Sequence, residues 1–482
     1  MNLVESIVAW ISEALYSYAL IILLVAGGLY FTVATRFAPF RMLKEQFRAV
    51  TEKPKDGKGV SSFQALMVST ASRVGTGNII GVSTALCLGG FGSVFGMWLI
   101  ALIGSASALV ESTLAQIYKK KGADGCYGGP AYYIEATLKS RPLAIVFSIF
   151  LIATYGFGFN MLASYNLQST FSAYAFYDPK VTPWIIGGIV ALLVAYCLIG
   201  GGKRVIKVSS LLVPVMGVAY ILVALLVVIL NLSSLPGVFA AIFKGAFDVQ
   251  AIFGGFGGSC VMYGIKRGLF SNEAGVGSAP NASASAEVDH PVRQGLVQVL
   301  SVFIDTILVC SATAFMCMCS GVTPSPEISG AAYIQQSLSQ TLGSFGPIFI
   351  TVSMMFFAFT TLLGNLYYVD RALIYILKKQ PSKRFMLVYH IIAALVIFIG
   401  AGLSAGLLWD IADVTMGMMA LINVPVILLL SRYAIRAIKD YDRQRREGKA
   451  PVFYADSIGL PHKVDCWQRE KSEETQADQP FL

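Results

Sequence analysis

Long apolar stretches separated by short polar or basic connectors recur along almost the whole chain. A helix rises about 1.5 Å per residue, so roughly 20 apolar residues cross about 30 Å of hydrocarbon. By that measure the sequence predicts eleven spans, at 16–35, 62–88, 92–118, 143–174, 183–200, 209–231, 245–270, 293–319, 346–372, 387–404 and 407–430. The fold class expected is an all-α polytopic membrane protein with eleven transmembrane helices.

Two of these spans carry interruptions. The first holds Ser-Thr-Ala-Ser-Arg-Val-Gly-Thr-Gly-Asn at 69–78, and the second holds Gly254-Gly255-Phe256-Gly257-Gly258-Ser259. In hydrocarbon every backbone N–H and C=O must be satisfied within the protein, so an unwound stretch survives only where it is buried or lines a cavity. After the first span, the other ten divide into two sets of five, each led by an interrupted helix. Because five is odd, the sets enter the membrane in opposite senses, the inverted repeat of many transporters. The expected organisation is a first helix and basic loop (1–61), a first repeat (62–232), an outer loop and second repeat (233–430) and a tail (431–482). The outer loops 233–250 and 322–345 contain mildly amphipathic stretches, readable as lids or as plain connectors. From Arg432 the chain turns polar, with Pro451, Pro461 and Pro480, and reads as a partly disordered tail.

Composition agrees with this class. Of 482 residues, 56% are hydrophobic and 13% charged, and a mean hydropathy of +0.67 excludes one soluble globule. The net charge is +9, yet 33 of the 36 lysines and arginines fall in one alternate set of loops: Arg36–Lys58, Lys119–Arg141, Lys203–Lys207, Lys266–Arg293, Arg371–Arg384 and Arg432–Lys471. The positive-inside rule then puts the N-terminus outside and the C-terminus in the cytoplasm. Charge spread over six loops is a topology signal and not a nucleic-acid surface. The first fifteen residues hold Glu5 and Glu13 but no basic residue, so the first span reads as retained and not as a signal peptide. The eight cysteines sit in or beside spans or on the cytoplasmic side (Cys126, Cys466), which suggests no disulfide framework and no metal or redox site.

An interrupted helix exposes carbonyls at the end of its first half and N–H groups at the start of its second. Carbonyls of Ala71 and Val74 are therefore candidates for a cation. The N–H groups of Gly75, Thr76 and Gly77, with Asn78, are candidates for an anionic substrate group. An amino acid fits that polarity, its ammonium facing the second break at Phe253, Gly255, Phe256 and Gly257. Hard cations prefer oxygen, which makes Thr360 and Thr361 candidate ligands, with Asn365 one turn on as a substrate contact. Charges inside a membrane are costly and point to function, so Arg73, Glu111 and Asp305 are gating candidates, Arg73 pairing with Glu111 or Asp305. His290, His390 and His462 have no cluster around them and no catalytic pattern appears, so the chain does not read as an enzyme.

These residues resemble the alanine or glycine:cation symporter family from about residue 16 to 455. The resemblance rests on Ser-Arg-Val-Gly-Thr-Gly-Asn-Ile (72–79), Gly89-Gly90 with Gly-Met-Trp (96–98), Gly-Gly-Pro-Ala-Tyr-Tyr-Ile (128–134) and Leu-Phe-Ser-Asn-Glu-Ala-Gly-Val-Gly-Ser-Ala-Pro-Asn-Ala (269–282). It implies sodium-coupled uptake of a small neutral amino acid, commonly alanine or glycine, by a leucine-transporter fold in a prokaryotic inner membrane, with sodium as coupling ion and no other cofactor. Within the long motif, Ser271–Gly275 reads as a cytoplasmic loop and short helix, with Glu273 as a further gating candidate. Two departures fall near the expected pocket: Asn160-Met161-Leu162-Ala163 lacks a usual glutamine, and Gly364-Asn365 replaces a usual Gly-Trp. A larger substrate such as glutamine, proton coupling and a non-transporting amino-acid sensor stand as the alternatives.

Overall fold

Apolar stretches this long have only helices available to satisfy their backbones in hydrocarbon, and helices are what they form. The computed structural model describes residues 3–52, 59–122, 125–248, 260–461 and 464–468. In chain order come α1 (Leu3–Ala14), continued through a wide turn into α2 (Leu20–Ala34), α3 (Ala38–Arg41), α4 (Leu43–Thr51), α5 (Ser62–Arg73), α6 (Val82–Gly89) and α7 (Ser93–Ile117). A small hairpin, β1 (Lys120–Gly122) with β2 (Gly125–Tyr127), precedes α8 (Pro130–Leu138), α9 (Arg141–Leu151), α10 (Phe159–Ser169), α11 (Thr182–Leu198), α12 (Gly201–Leu230) and α13 (Leu235–Ala246). The remaining helices are α14 (Cys260–Asn272), α15 (Pro280–Ser283), α16 (Pro291–Val302), α17 (Ser311–Met318), α18 (Ala331–Leu342), α19 (Phe345–Leu377), α20 (Lys383–Ala401) and α21 (Ala405–Arg446).

Among the described residues, seven helical stretches are long and apolar enough to cross a membrane: Ser93–Ile117, Arg141–Ala173, Gly201–Leu230, Pro291–Met318, Phe345–Leu377, Lys383–Ala401 and Ala405–Arg446. Helices α11, α12 and α20 form the rim. Leu192, Leu211, Val215, Ile229 and Leu395 stand exposed there, a surface suited to lipid and costly in water. At the centre lie the two interrupted helices, buried continuously over 65–87 and 267–286.

Small residues let the second interrupted helix lie against α7. A Cβ on Gly96 would meet the Val261 carbonyl at 2.3 Å, one on Gly268 would meet Met97 Cα at 3.1 Å, and one on Gly104 would meet Ala274 Cβ at 3.0 Å. These contacts rise together in sequence, so α14 runs parallel to α7. Against α6 the order reverses, Gly89 meeting Tyr263 and Gly77 meeting Phe270. The two interrupted helices are therefore antiparallel.

The C-terminal end departs from the sequence reading. Helix α21 does not stop where the chain turns polar at Arg432 but continues to Arg446, because Tyr433, Ala434, Ala437, Ile438 and Tyr441 keep a buried stripe at helical spacing. Beyond it the chain packs back on the bundle, Phe453 N–H donating to Asp289 O at 2.9 Å and the Trp467 indole to Gln116 O at 2.8 Å. Both stretches read from the sequence as outer loops form short helices, α13 and α18.

Candidate functional site

The first break forms where the sequence places it. Ser61 and Gln64 start α5 with reciprocal side-chain caps at 3.1 and 3.0 Å. The helix ends at Arg73, and Val74 leaves the helical region at φ −76°, ψ 85°. In an unbroken helix the Gly75 N–H would bond the Ala71 carbonyl; here it donates to Asn78 Oδ1 at 2.8 Å. The chain then resumes through the wide turn Gly77–Gly81 into α6. Glycine is required by close approach: a Cβ on Gly75 would lie 2.0 Å from Thr361 Oγ1, and one on Gly77 2.9 Å from the Phe270 ring.

Opposite it sits a further interruption, in a run that the sequence reading took for a loop at the membrane face. Phe253, Gly255, Phe256 and Gly257 lie outside the described residues. Helix α14 ends at Asn272, and Glu273 (φ 53°), Gly275 (φ 84°) and Gly277 (φ 92°) all take left-handed conformations before α15. The stretch 271–285 is buried throughout. Ser271–Gly275 is thus an internal helix break facing the first one, not a cytoplasmic loop. The loop reading has a physical source: Lys266 and Arg267, taken for a basic inner loop, are half-buried and buried respectively and share Asp413 Oδ2 at 2.9 Å each.

Polar side chains join the breaks. Ser72 Oγ lies 2.7 Å from Asn365 Oδ1 and 3.3 Å from Glu273 Oε1, and Ser278 Oγ donates to Glu273 Oε2 at 2.6 Å. Asn365 Nδ2 donates in turn to Asn160 Oδ1 at 2.9 Å. Asn365 is therefore a bridge between α5 and α10, both ends of its amide engaged. Thr76 Oγ1 accepts from Asn166 Nδ2 at 3.1 Å. Among the buried atoms here that have no protein partner within the described residues are Thr361 Oγ1, Asn160 Nδ2 and Asn166 Oδ1. The adjacent threonines separate by their helical angle. Thr361 faces Gly75, whereas Thr360 donates to Phe356 O at 2.9 Å within its own helix and points to Met216.

The charged candidates are all buried, in an arrangement that spacing did not reveal. Arg73 makes neither expected ion pair. Its Nη1 donates to Gln298 Oε1 at 2.9 Å, while Gln298 Nε2 reaches Ser69 at 3.0 Å. Asp305 accepts from Asn78 (2.7 Å), Ser271 (2.8 Å) and Thr306 (2.7 Å). Glu111 accepts from the Gly275 N–H at 3.3 Å and from Asn423 at 2.8 Å. The guanidinium of Arg73 is the cationic neighbour of Glu111, Glu273 and Asp305 alike. One positive charge thus faces three carboxyls. Gln294, Gln298, Ser301 and Asp305 form one polar stripe that meets Ser62, Ser69, Thr70 and Asn78 in turn.

An aromatic wall closes the side nearer α6. Phe159 and Phe270 have ring centroids 4.4 Å apart, and Phe270 and Trp409 are 4.9 Å apart. Arg267 lies over Trp409 at 4.1 Å. Sequence reasoning missed this wall, since single aromatics in apolar spans carry no periodic signal.

Antiparallel interrupted helices that touch at their breaks, inside a bundle with an apolar rim, define a membrane transport protein. The chain belongs to the sodium:alanine symporter family, whose model matches residues 1–455. It is 44% identical over 462 residues to the amino-acid carrier protein AlsT of Bacillus subtilis, covering 96% of this chain and 97% of the relative. It is 42% identical to the probable sodium/glutamine symporter GlnT of the same organism, covering 97% and 96%. A sodium/proton-dependent alanine carrier of Bacillus sp. PS3 is 35% identical, covering 86% and 95%. The crystal structure of MhsT in complex with L-phenylalanine shares the fold, with TM-score 0.57 and 14% identity over 81% of this chain and 93% of that one. It is a leucine-transporter fold.

Proposed function

We propose that this chain is a sodium-coupled symporter that imports a small neutral amino acid, alanine or glycine, by alternating access. The observation that carries the reading is the antiparallel meeting of two broken helices, which puts opposite ends of their backbone dipoles around one point. At the start of the resumed first helix, the N–H groups of Thr76 and Gly77 take the substrate carboxylate. The Gly75 N–H and the Asn78 side chain are spent on holding the break open. The carbonyl end of α14, at Phe270 and Ser271 beside Gly77, takes the ammonium, the role first assigned to 253–257. Sodium is held by the carbonyls of Ala71 and Val74 and by Thr361 Oγ1, a buried hydroxyl without a protein partner among the described residues. Thr360 supports its helix and is no ligand. The excess of carboxyls around Arg73 favours a cation wherever those groups are ionised.

The same reading takes eleven spans, arranged as 62–232 and 233–430 in inverted repeat, with the second broken helix at 260–283. The basic end bearing Lys119 and Arg293 faces the cytoplasm of a prokaryotic cell, which leaves the N-terminus outside. Glu273 and Ser72 couple the two breaks as the gate moves, and Arg73, Glu111 and Asp305 hold the surrounding half-helices.

One observation favours glutamine as a second reading. Asn160 Nδ2 and Asn166 Oδ1, both on α10, offer an unused donor and an unused acceptor, the complement of a carboxamide. Competition against labelled alanine by a panel of neutral amino acids in proteoliposomes separates the two. Displacement by alanine and glycine, with glutamine weaker, supports the first; displacement by glutamine alone reverses the assignment. Binding without flux would make the chain a sensor.

A further inference from the structure

The end of α7, the hairpin β1–β2 and the segment 464–468 meet at the basic end of the bundle and bring two cysteines together. Cys126 lies in β2 opposite Lys121. Cys466 Sγ reaches the Lys119 carbonyl at 3.6 Å, and the Cys466 thiol neighbours that of Cys126. Neither is fully covered by protein. The neighbouring thiol, helped by Lys119 and Lys121 and opposed by burial and Glu287, holds the Cys126 thiol below the usual range. Its partner Cys466 is pushed up by the same contact and by burial. One cysteine is set up as nucleophile beside a second that resolves it.

The same place holds the inner half of the second broken helix. Gln116 Nε2 donates to Ser283 O at 2.5 Å and Ala286 O at 2.9 Å, and Lys119 Nζ donates to Ala286 O at 2.9 Å. The Trp467 indole bonds Gln116 O at 2.8 Å, and Lys119 Nζ lies 4.8 Å from the Trp467 ring centroid. The 464–468 segment is thereby latched to the residues that grip α15. We propose that Cys126 and Cys466 form a reversible redox modification site, whose disulfide fixes this latch and slows movement of the inner half-helix.

The oxidant is a hydroperoxide. The Cys126 thiolate attacks one peroxide oxygen, the O–O bond breaks, and the leaving oxygen takes a proton to depart as water or alcohol, leaving a sulfenic acid. Cys466 attacks that sulfur; its own proton and the sulfenic oxygen leave as water. Two thiols lose two electrons and the peroxide is reduced. In a reducing compartment such a bond is transient, as suits a switch.

The effect on flux rests on the transport reading, whereas the bond itself does not. The full-length protein in proteoliposomes is treated with hydrogen peroxide, free thiols are trapped, and linked peptides are mapped alongside alanine uptake. Wild type is expected to give a 126–466 linked pair and severalfold slower uptake, both reversed by dithiothreitol. Cys126→Ser and Cys466→Ser should each lose the pair and keep their uptake under peroxide. Absence of the linked pair in wild type overturns the site, whatever the uptake. A linked pair with unchanged uptake, or equal slowing in Cys466→Ser, overturns the latch.

Discussion

Ser72 Oγ stands 3.3 Å from Glu273 Oε1, and through this contact the first interrupted helix touches the second. Glu273 also takes a left-handed φ of 53°, receives the Ser278 hydroxyl and lies beside Tyr155 and the Arg73 guanidinium. Hydrogen bonds to a charged group are worth about 1.5–3 kcal/mol. Glu273→Gln keeps the volume and replaces an acceptor oxygen by an amide donor, so uptake should fall by roughly ten- to a hundredfold with the protein still folded by size-exclusion and thermal melting. Full activity in the Gln variant would show that the carboxylate does not join the breaks.

Gly75 and Thr361 make a sharper pair. A methyl on Gly75 would sit 2.0 Å from Thr361 Oγ1 but 3.1 Å from Thr361 Cβ. Overpacking of this kind costs about 1–3 kcal/mol, so Gly75→Ala should lower thermal stability and abolish sodium-stimulated uptake. Thr361→Ala removes the clashing oxygen. The double variant should recover the melting temperature but not the sodium response; recovery of both would free Thr361 from any part in ion binding.

Asp413 is buried and holds Lys266 and Arg267 on one oxygen. Removing one partner of a buried ion pair costs about 3–5 kcal/mol. Asp413→Asn, which strands two cations, should therefore melt well below wild type in detergent. Arg267→Gln should be milder, since Lys266 remains paired. Equal melting temperatures for all three proteins would contradict the buried pairing.

A pH effect belongs to the basic end. His290 is fully buried at the start of α16, its Nδ1 accepting from Val292 N–H at 3.3 Å and its Nε2 facing Asp440 Oδ2 at 3.4 Å. Burial lowers its pKa below the ordinary 6.5, against the opposing pull of Asp440. The unfolded chain then binds the proton more readily than the folded one. Stability from the neutral ring is complete above 6.5 and declines as pH falls from there toward the lower folded value. Melting followed from pH 7.5 to 5 should show this decline, and His290→Gln should flatten it; identical slopes would assign the effect to other groups.

The first break was legible because Gly75 and Gly77 stand with polar residues inside an apolar span, where hydrocarbon forbids idle backbone. The second was harder to read. Gly254–Gly258 lies outside the described residues, and at 271–275 the preceding Lys266-Arg267 imitates a membrane boundary. Only tertiary structure shows that Asp413, about 150 residues away in sequence, neutralises those charges in the interior. The threonine pair was half legible: adjacency on a helix turns neighbours about 100° apart, so one hydroxyl faces the break and the other its own carbonyls. Arg73 was visible as an anomaly, but its partner Gln298 is neutral and 225 positions distant, beyond any spacing rule. The helix end beyond Arg432 was hidden because its buried stripe of Tyr433, Ala434, Ala437, Ile438 and Tyr441 is interleaved with charged residues.

The central claim is that the meeting of the two breaks binds an amino acid together with sodium. Uptake of labelled alanine into proteoliposomes containing the purified protein, with sodium or with potassium as the inward gradient, tests it most directly. The account predicts accumulation above equilibrium only with sodium, and its loss in Thr361→Ala. Equal accumulation in potassium, with the Thr361→Ala variant unimpaired, would contradict it.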